Sequence, residues 1–458
     1  MEDMKNGKRS SFSGKLGYVL AAAGASVGLG NIWRFPYLAA KYGGGIFLII
    51  YIVLALTFGY TMIVAETAIG RMTRKSPVGA FKSFGKKKWL SFGGWINAVI
   101  PVLIVPYYSV IGGWVIKYLV EYFRGNAKQL AEDGYFTDFI SNGVSTELCF
   151  VAFCAFTLII IFAGVQNGIE RVSKIMMPIL IVLSVIIAVY SVTRPGALAG
   201  VKYFLVPNVK NFSWMTVVSA MGQMFYSLSI AMGILITFGS YMKKDTAIED
   251  STRNVEVFDT GIAIMAGLMI IPAVFAFSGG DPDTLQAGPS LMFITIPKVF
   301  QNMGFGTVIG IVFFLLVLFA AVTSSIALTE SAVSTFEDEL GWGRKKATVL
   351  VGVIMLALGS LSSLGYGPLA GIKIIGMQFL DLFDFLTNSV MMPIAALLTS
   401  LLVSRVVGID KIEEEIIHGE SAFRRKKVFV VMIKYLCPVF AIIILLSSVA
   451  NALGWIKM

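Results

Sequence analysis

The residues best suited to chemistry lie in one stretch, Gly24-Ala25-Ser26-Val27-Gly28-Leu29-Gly30-Asn31-Ile32-Trp33-Arg34-Phe35-Pro36. Three glycines, a proline, an asparagine and an arginine sit within an apolar run long enough to cross a bilayer. Hydrocarbon penalises unpaired backbone groups and bare charge, so this stretch must be buried in protein or line a cavity. Glycine and proline let a helix break, and a broken helix presents free carbonyls at one end and free amides at the other. Those groups can hold a cation and an anion side by side. A packing face with GxxxG spacing explains Gly24 and Gly28 without any ligand. Packing alone does not explain Asn31 and Arg34.

The rest of the chain must supply the frame. It has 458 residues, 57% hydrophobic and 14% charged, with a mean hydropathy of +0.80. A soluble protein would carry about a quarter charged residues, so this is a polytopic membrane protein. Met1 to Lys15 is polar and basic, and the apolar run after it is too long for a signal core, so no cleavable signal is expected. The net charge of +10 could suit nucleic acid. The basic residues fall in short loops between apolar segments, however, so membrane orientation explains them and no nucleic-acid partner is expected. Cys149, Cys154 and Cys437 give no disulfide framework and read as packing residues. His418 is the sole histidine. No nucleophile–base pair or metal cluster supports an enzyme.

Eleven spanning segments are predicted, near 16–40, 46–71, 92–122, 148–165, 171–192, 214–241, 256–277, 305–337, 347–363, 373–404 and 428–456. The fold class is therefore an all-α integral membrane protein. The loop after segment two holds Arg71, Arg74, Lys75, Lys82, Lys86, Lys87 and Lys88, and the loop after segment ten holds Lys411 and Arg424 to Lys427. With Lys5, Lys8, Arg9 and Lys15, these predict a cytoplasmic N-terminus and, after eleven crossings, Lys457-Met458 outside. The stretch 278–304 is too short and broken to span, and its Leu291-Met292-Phe293-Ile294 would be costly in water, so a helical hairpin folded over the outer face is expected.

Segments one and six are both interrupted and rich in small residues; six reads Gly222-Gln223-Met224-Phe225-Tyr226-Ser227-Leu228-Ser229-Ile230-Ala231-Met232-Gly233. They lie five segments apart and so run in opposite directions. Matching broken segments in two halves point to an inverted-repeat transporter site. The expected organisation is a cytoplasmic N-terminal segment 1–15, a first repeat 16–192 and an external loop 193–213. A second repeat 214–404 carries the lid 278–304, followed by a cytoplasmic loop 405–427 and segment eleven with an external end, 428–458. Segment eleven stands outside the five-plus-five repeat.

At these residues the chain resembles the neurotransmitter:sodium symporter family. The likeness runs in order through Gly24 to Pro36, Gly43-Gly44-Gly45, Glu66, Tyr107-Tyr108, Gly222 to Gly233, Gly288 to Pro297, Thr323-Ser324-Ser325, Phe336 to Glu339 and Phe379-Leu380-Asp381. It implies two sodium sites. The first would use the Ser26 carbonyl, the Asn31 side chain, Ser227, Asp259 and the substrate carboxylate. The second would use the carbonyls of Gly24, Val27 and Ala320 and the hydroxyls of Thr323 and Ser324. Oxygen ligands without excess charge suit a hard monovalent cation. Ala320, Thr323 and Ser324 share one helix face at i, i+3, i+4. Hydroxyls bonding back to their own helix are the ordinary alternative for that pair. Many animal relatives carry a neutral asparagine at the Asp259 position and need chloride, so no chloride is expected here. A place for Asp259 in water at the cytoplasmic mouth is the competing reading, since Arg253 is six residues away.

The resemblance also implies the substrate. Amine-transporting relatives place an aspartate where this chain has Gly28, so an α-amino acid is expected. Its carboxylate would meet the amides of the outer half of segment one, near Gly30, and the Tyr108 hydroxyl. Its ammonium would meet carbonyls of Ala25, Tyr226 and Ser229. Ile104, Tyr226, Ser229, Met232 and Leu328 would line the side-chain pocket, with Ser26, Ser324 and Ala231 close by. That lining favours neutral, hydrophobic side chains. Arg34 with Asp384 would form an outer gate above Tyr108 and Tyr226; Arg9 with Asp338, Phe12 and Tyr241 would form an inner one. Glu66 is expected to bond the unwound backbone of segment six in its protonated form, and Glu330 either serves structure or faces the cytoplasmic pathway. The function implied is sodium-coupled amino acid uptake by alternating access in the lipid bilayer of the cell membrane. The alternative is a sensor on the same fold that binds sodium and amino acid without flux. The sequence leaves the oligomeric state open.

Overall fold

The computed structural model describes residues 9–279, 288–452 and 455. Lys5, Lys8, residues 280–287 of the expected lid, and Lys457-Met458 lie outside the described residues. The described chain is helical, with isolated β-bridges and no strand.

Nine described helices are long and apolar enough to cross a membrane, and a bent pair, Lys15–Ser26 with Gly30–Lys41, makes a tenth candidate. The pair turns through 52° at Val27–Leu29. Val27 is extended there, at φ −75 and ψ 92. Segment six is two short helices, Trp214–Ser227 and Ile234–Tyr241. Between them Ser229, Ala231 and Gly233 take left-handed φ of 53, 60 and 70. For the two non-glycine residues that conformation costs roughly 1–2 kcal/mol each, so the break is held by its surroundings. The Ala231 amide donates to Glu66 Oε1 at 2.8 Å, and Ser229 Oγ donates to the Ala25 carbonyl at 2.9 Å. Glu66 thus meets the unwound backbone, as expected.

Several boundaries differ from the sequence expectation, those of segments seven and ten among them. Segment seven begins at Ile248, with Glu249 and Asp250 in its first turn. Acids are favourable at a helix N-terminus, so the helix continues beyond its apolar part. Segment ten begins only at Phe379. Before it, Ile375 and Gly376 are left-handed and Ile374 pairs with Met377, a tight turn built from residues whose hydropathy resembles a span. The described part of the outer connection holds a short helix, Leu291–Gln301. Phe293 stacks on Phe136 at 5.1 Å, and Tyr118 donates to the Phe293 carbonyl at 2.7 Å, which keeps those apolar side chains out of water.

The inner half of segment one is buried on every side from Gly17 to Ser26. It packs between segments five, seven and eight. Its last part, Ala21 to Ser26, is written in alanine, glycine and serine, which lets neighbouring helices approach closely. A β-carbon on Gly24 would stand 3.1 Å from Thr323 Cβ, so segments one and eight approach closely at that point.

Candidate functional site

The breaks of segments one and six face each other across a small cavity. Its walls are Ala25, Ser26, Gly28, Leu29, Gly30 and Asn31 from segment one, Ile104 and Tyr108 from three, Tyr226, Ser227, Ser229 and Met232 from six, and Ser324 and Leu328 from eight. The structure therefore brings together the residues expected around the substrate, Ala231 apart, with Asn31 and Ser227 of the expected first sodium site, and adds Leu29. Ala231 is not in the wall; it is spent on the break itself. Tyrosine is the sole ionisable type in this lining.

One end of the cavity is a buried polar cluster. Asp259 is 0% exposed, which removes the reading that placed it in water at the cytoplasmic mouth. It lies eleven residues into segment seven, about three helical turns. Its Oδ1 accepts from Asn31 Nδ2 and from Ser227 Oγ, each at 2.8 Å. Its Oδ2 accepts from the Tyr51 hydroxyl at 2.9 Å, and that hydroxyl also lies 3.1 Å from Ser227 Oγ. Gln223 Nε2 donates to the Gly30 carbonyl at 3.0 Å. Tyr51 and Gln223 were not foreseen as site residues. Tyr51 sits 176 and 208 positions from its partners, and a tyrosine in an apolar span carries no signal of its own.

A second cluster joins segments one and eight. Ser324 Oγ lies 3.3, 3.2 and 3.4 Å from the carbonyl oxygens of Gly24, Ala25 and Val27. Thr323 bonds back to the carbonyls of Phe319 and Ala320, at 3.0 and 3.2 Å. Thr323 thus bonds back to its own helix, the ordinary alternative for the pair, while Ser324 reaches the freed carbonyls of segment one. Three carbonyls around one hydroxyl make an electronegative pocket suited to a small cation. On the cavity side, Tyr108 accepts from the Leu29 amide at 3.3 Å, and Asn31 Oδ1 accepts from the Gly28 amide at 3.3 Å.

Toward one face, Arg9 forms an ion pair with Asp338 and donates to Ser240 at 3.1 Å and Ser334 at 2.7 Å. Its guanidinium lies over the Tyr241 ring, 5.1 Å from the centroid, and the Phe12 amide donates to the Tyr241 carbonyl at 3.0 Å. Glu330 does not line an open pathway: Arg344 holds it bidentately at 3.0 and 2.5 Å, and Tyr241 donates to it at 2.7 Å. Toward the other face the expected pair is apart. Arg34 lies over the Tyr226 ring at 5.3 Å, while Asp384 accepts from Tyr107 at 3.2 Å and Asn388 at 2.6 Å. Arg34 and Asp384 form no ion pair with each other. Of the two expected pairs, Arg9–Asp338 is thus formed and Arg34–Asp384 is not.

The model of the sodium:neurotransmitter symporter family matches residues 9–133 and 120–455. The chain belongs to that family. The symporter is 34% identical to the uncharacterized sodium-dependent transporter YhdH of Bacillus subtilis, over 97% of this chain and 99% of that one. It is 26% identical to the human sodium- and chloride-dependent GABA transporter 2, over 89% of this chain and 75% of that one. Among solved structures it is similar to MhsT in complex with L-phenylalanine, with TM-score 0.86, 34% identity, and coverage of 96% and 100%. Membership makes the symporter a multi-pass, sodium-dependent membrane transporter and not an enzyme.

Proposed function

We propose that this symporter couples sodium entry to uptake of a neutral, hydrophobic α-amino acid, without chloride. The observation that carries this reading is the cavity itself. It has free helix ends from two broken spans, no charged side chain in its wall, and one buried carboxylate behind Asn31 and Ser227. Opposed helix ends suit a zwitterion, each worth at most about 2 kcal/mol when partly buried. Ile104, Met232 and Leu328 suit an apolar side chain, and phenylalanine bound to MhsT supports the same substrate class. One sodium would sit among Ser26, Asn31, Ser227 and Asp259. A second would sit among Gly24, Val27, Ala320, Thr323 and Ser324.

The two broken spans head the halves 16–192 and 214–404, an inverted five-plus-five repeat with segment eleven outside it, and segment six, built of two short helices, counts as one crossing. The basic loops support a cytoplasmic position for the Arg9–Asp338 face. Alternating access follows. Sodium and substrate enter from outside, Arg34 and Asp384 close above them, and release requires the Arg9–Asp338 pair to part. Each net positive charge carried inward gains about 2.3 kcal/mol per 100 mV.

A sodium-dependent uptake screen over the twenty amino acids in proteoliposomes tests this. Accumulation of neutral hydrophobic ones is expected. Binding without accumulation would instead establish a sensor. Asp338→Ala removes the partner of Arg9 and the carboxylate that accepts from the Ser76 amide at 2.6 Å. It is expected to shift the population inward-open. A pair of spin labels across the cytoplasmic face checks this, and an unchanged distance distribution would count against the gate.

A further inference from the structure

The partners of Arg9 and Phe12 belong to the end of segment six, and that end is itself held. Ser240 and Tyr241 receive the N-terminal segment. Directly after them, Arg74 donates to the Met242 carbonyl at 2.8 Å, and Arg71 donates to the Thr246 carbonyl at 2.5 Å. Both arginines come from the end of segment two. Arg71 is 0% exposed, an unusual place for a guanidinium. It is neutralised from elsewhere: its Nε lies 2.6 Å from Glu415 Oε1, and its Nη2 donates to the Glu415 carbonyl. Glu415 sits on Ile409–Ile417, a helix in the loop between segments ten and eleven.

That loop is fastened at further points. The amides of Arg424 and Arg425 donate to Glu249 at 2.8 and 2.9 Å, and Glu249 also accepts from Tyr60 at 2.9 Å. Arg425 pairs with Glu256 at 3.2 Å. A connecting loop with no part in the cavity is thus tied to segments two and seven.

We propose that Glu415, acting through Arg71, positions the six–seven connection and so sets how readily the inner gate opens. Glu415 and Arg71 are positioning residues; neither touches the cavity. A buried arginine that loses its paired carboxylate must seek water, and the route open to it runs along the connection it holds. Its release loosens residues 242–246 and, with them, Ser240 and Tyr241. The inference rests on the reading of Arg9 and Asp338 as an inner gate.

The test uses the full chain in nanodiscs, with Cys149, Cys154 and Cys437 replaced by alanine and Ser331→Cys as reporter. Ser331 is buried beside the inner half of segment six, 3.3 Å from Thr237 Oγ1. Fluorescein maleimide in sodium-containing medium reports inner opening. Glu415→Gln is expected to speed labelling roughly tenfold, within the usual range for coupling between sites. Arg71→Lys, which keeps the charge but cannot span both partners, is expected to do the same and serves if the first variant fails to fold. A lowered thermal midpoint with unchanged labelling would make the pair merely structural and overturn the inference. Asp338→Ala runs in parallel. If it speeds labelling and Glu415→Gln does not, the positioning role fails; if it alone has no effect, the gate assignment fails instead.

Discussion

Asp259→Asn is expected to weaken sodium-dependent substrate binding about ten- to a hundredfold in chloride-free medium, the effect of losing a charged hydrogen-bonding partner worth about 1.5–3 kcal/mol. The carboxylate is buried, joins segments one, two, six and seven through Asn31, Tyr51 and Ser227, and lies behind Asn31 and Ser227 of a cavity with no charged side chain in its wall. A cation bound there would find its countercharge in this one residue. The amide keeps the size and one oxygen of the carboxylate, so the fold should tolerate it. The native protein should take up substrate equally well when chloride is replaced by gluconate. Uptake that collapses in gluconate would show that the Asp259 carboxylate does not serve as the anion, and the chloride-independent reading would be wrong.

The parts of this site legible in sequence are those that break a local rule. Asp259 inside an apolar span, Asn31 beside glycines, and two small-residue spans at matching positions all signal cost that must be offset elsewhere. The parts that stayed hidden obey local rules. Tyr51 is an unexceptional tyrosine until the fold brings Asp259 to it across 208 positions. Segment six looked interrupted between Gly222 and Gly233, yet Gly222 lies within a regular helix and the break runs from Leu228 to Gly233. Ser229 and Ala231 adopt left-handed backbone because Ala25 and Glu66 hold them there, which propensity does not foretell. Arg34 and Asp384 show a different limit. Sequence can pair two charges but does not set the conformation in which they meet, and here each is held by other groups.

Gly28→Ala is expected to lower sodium-dependent amino acid binding about ten- to a hundredfold, in line with about 1–3 kcal/mol for overfilling a packed site. The new β-carbon would lie 2.6 Å from Ser324 Oγ and 3.1 Å from the Tyr108 hydroxyl. Neither neighbour is free to give way. Ser324 Oγ is placed among the carbonyls of Gly24, Ala25 and Val27, so turning it aside undoes the contact between segments one and eight. Tyr108 is tied to the Leu29 amide, so moving it disturbs the amides at the break. The methyl would therefore act on the cavity and on the cluster behind it at once, and sodium affinity should fall with substrate affinity. Gly261→Ala supplies the control, because a β-carbon there meets no atom within 4 Å on segment seven. It should bind as the native protein does, with a small gain in helix stability of up to about 1 kcal/mol. Scintillation proximity with a radiolabelled neutral amino acid measures both variants. Native affinity in Gly28→Ala would place the substrate away from the break in segment one, and the cavity between the two broken spans would then have to serve some other purpose.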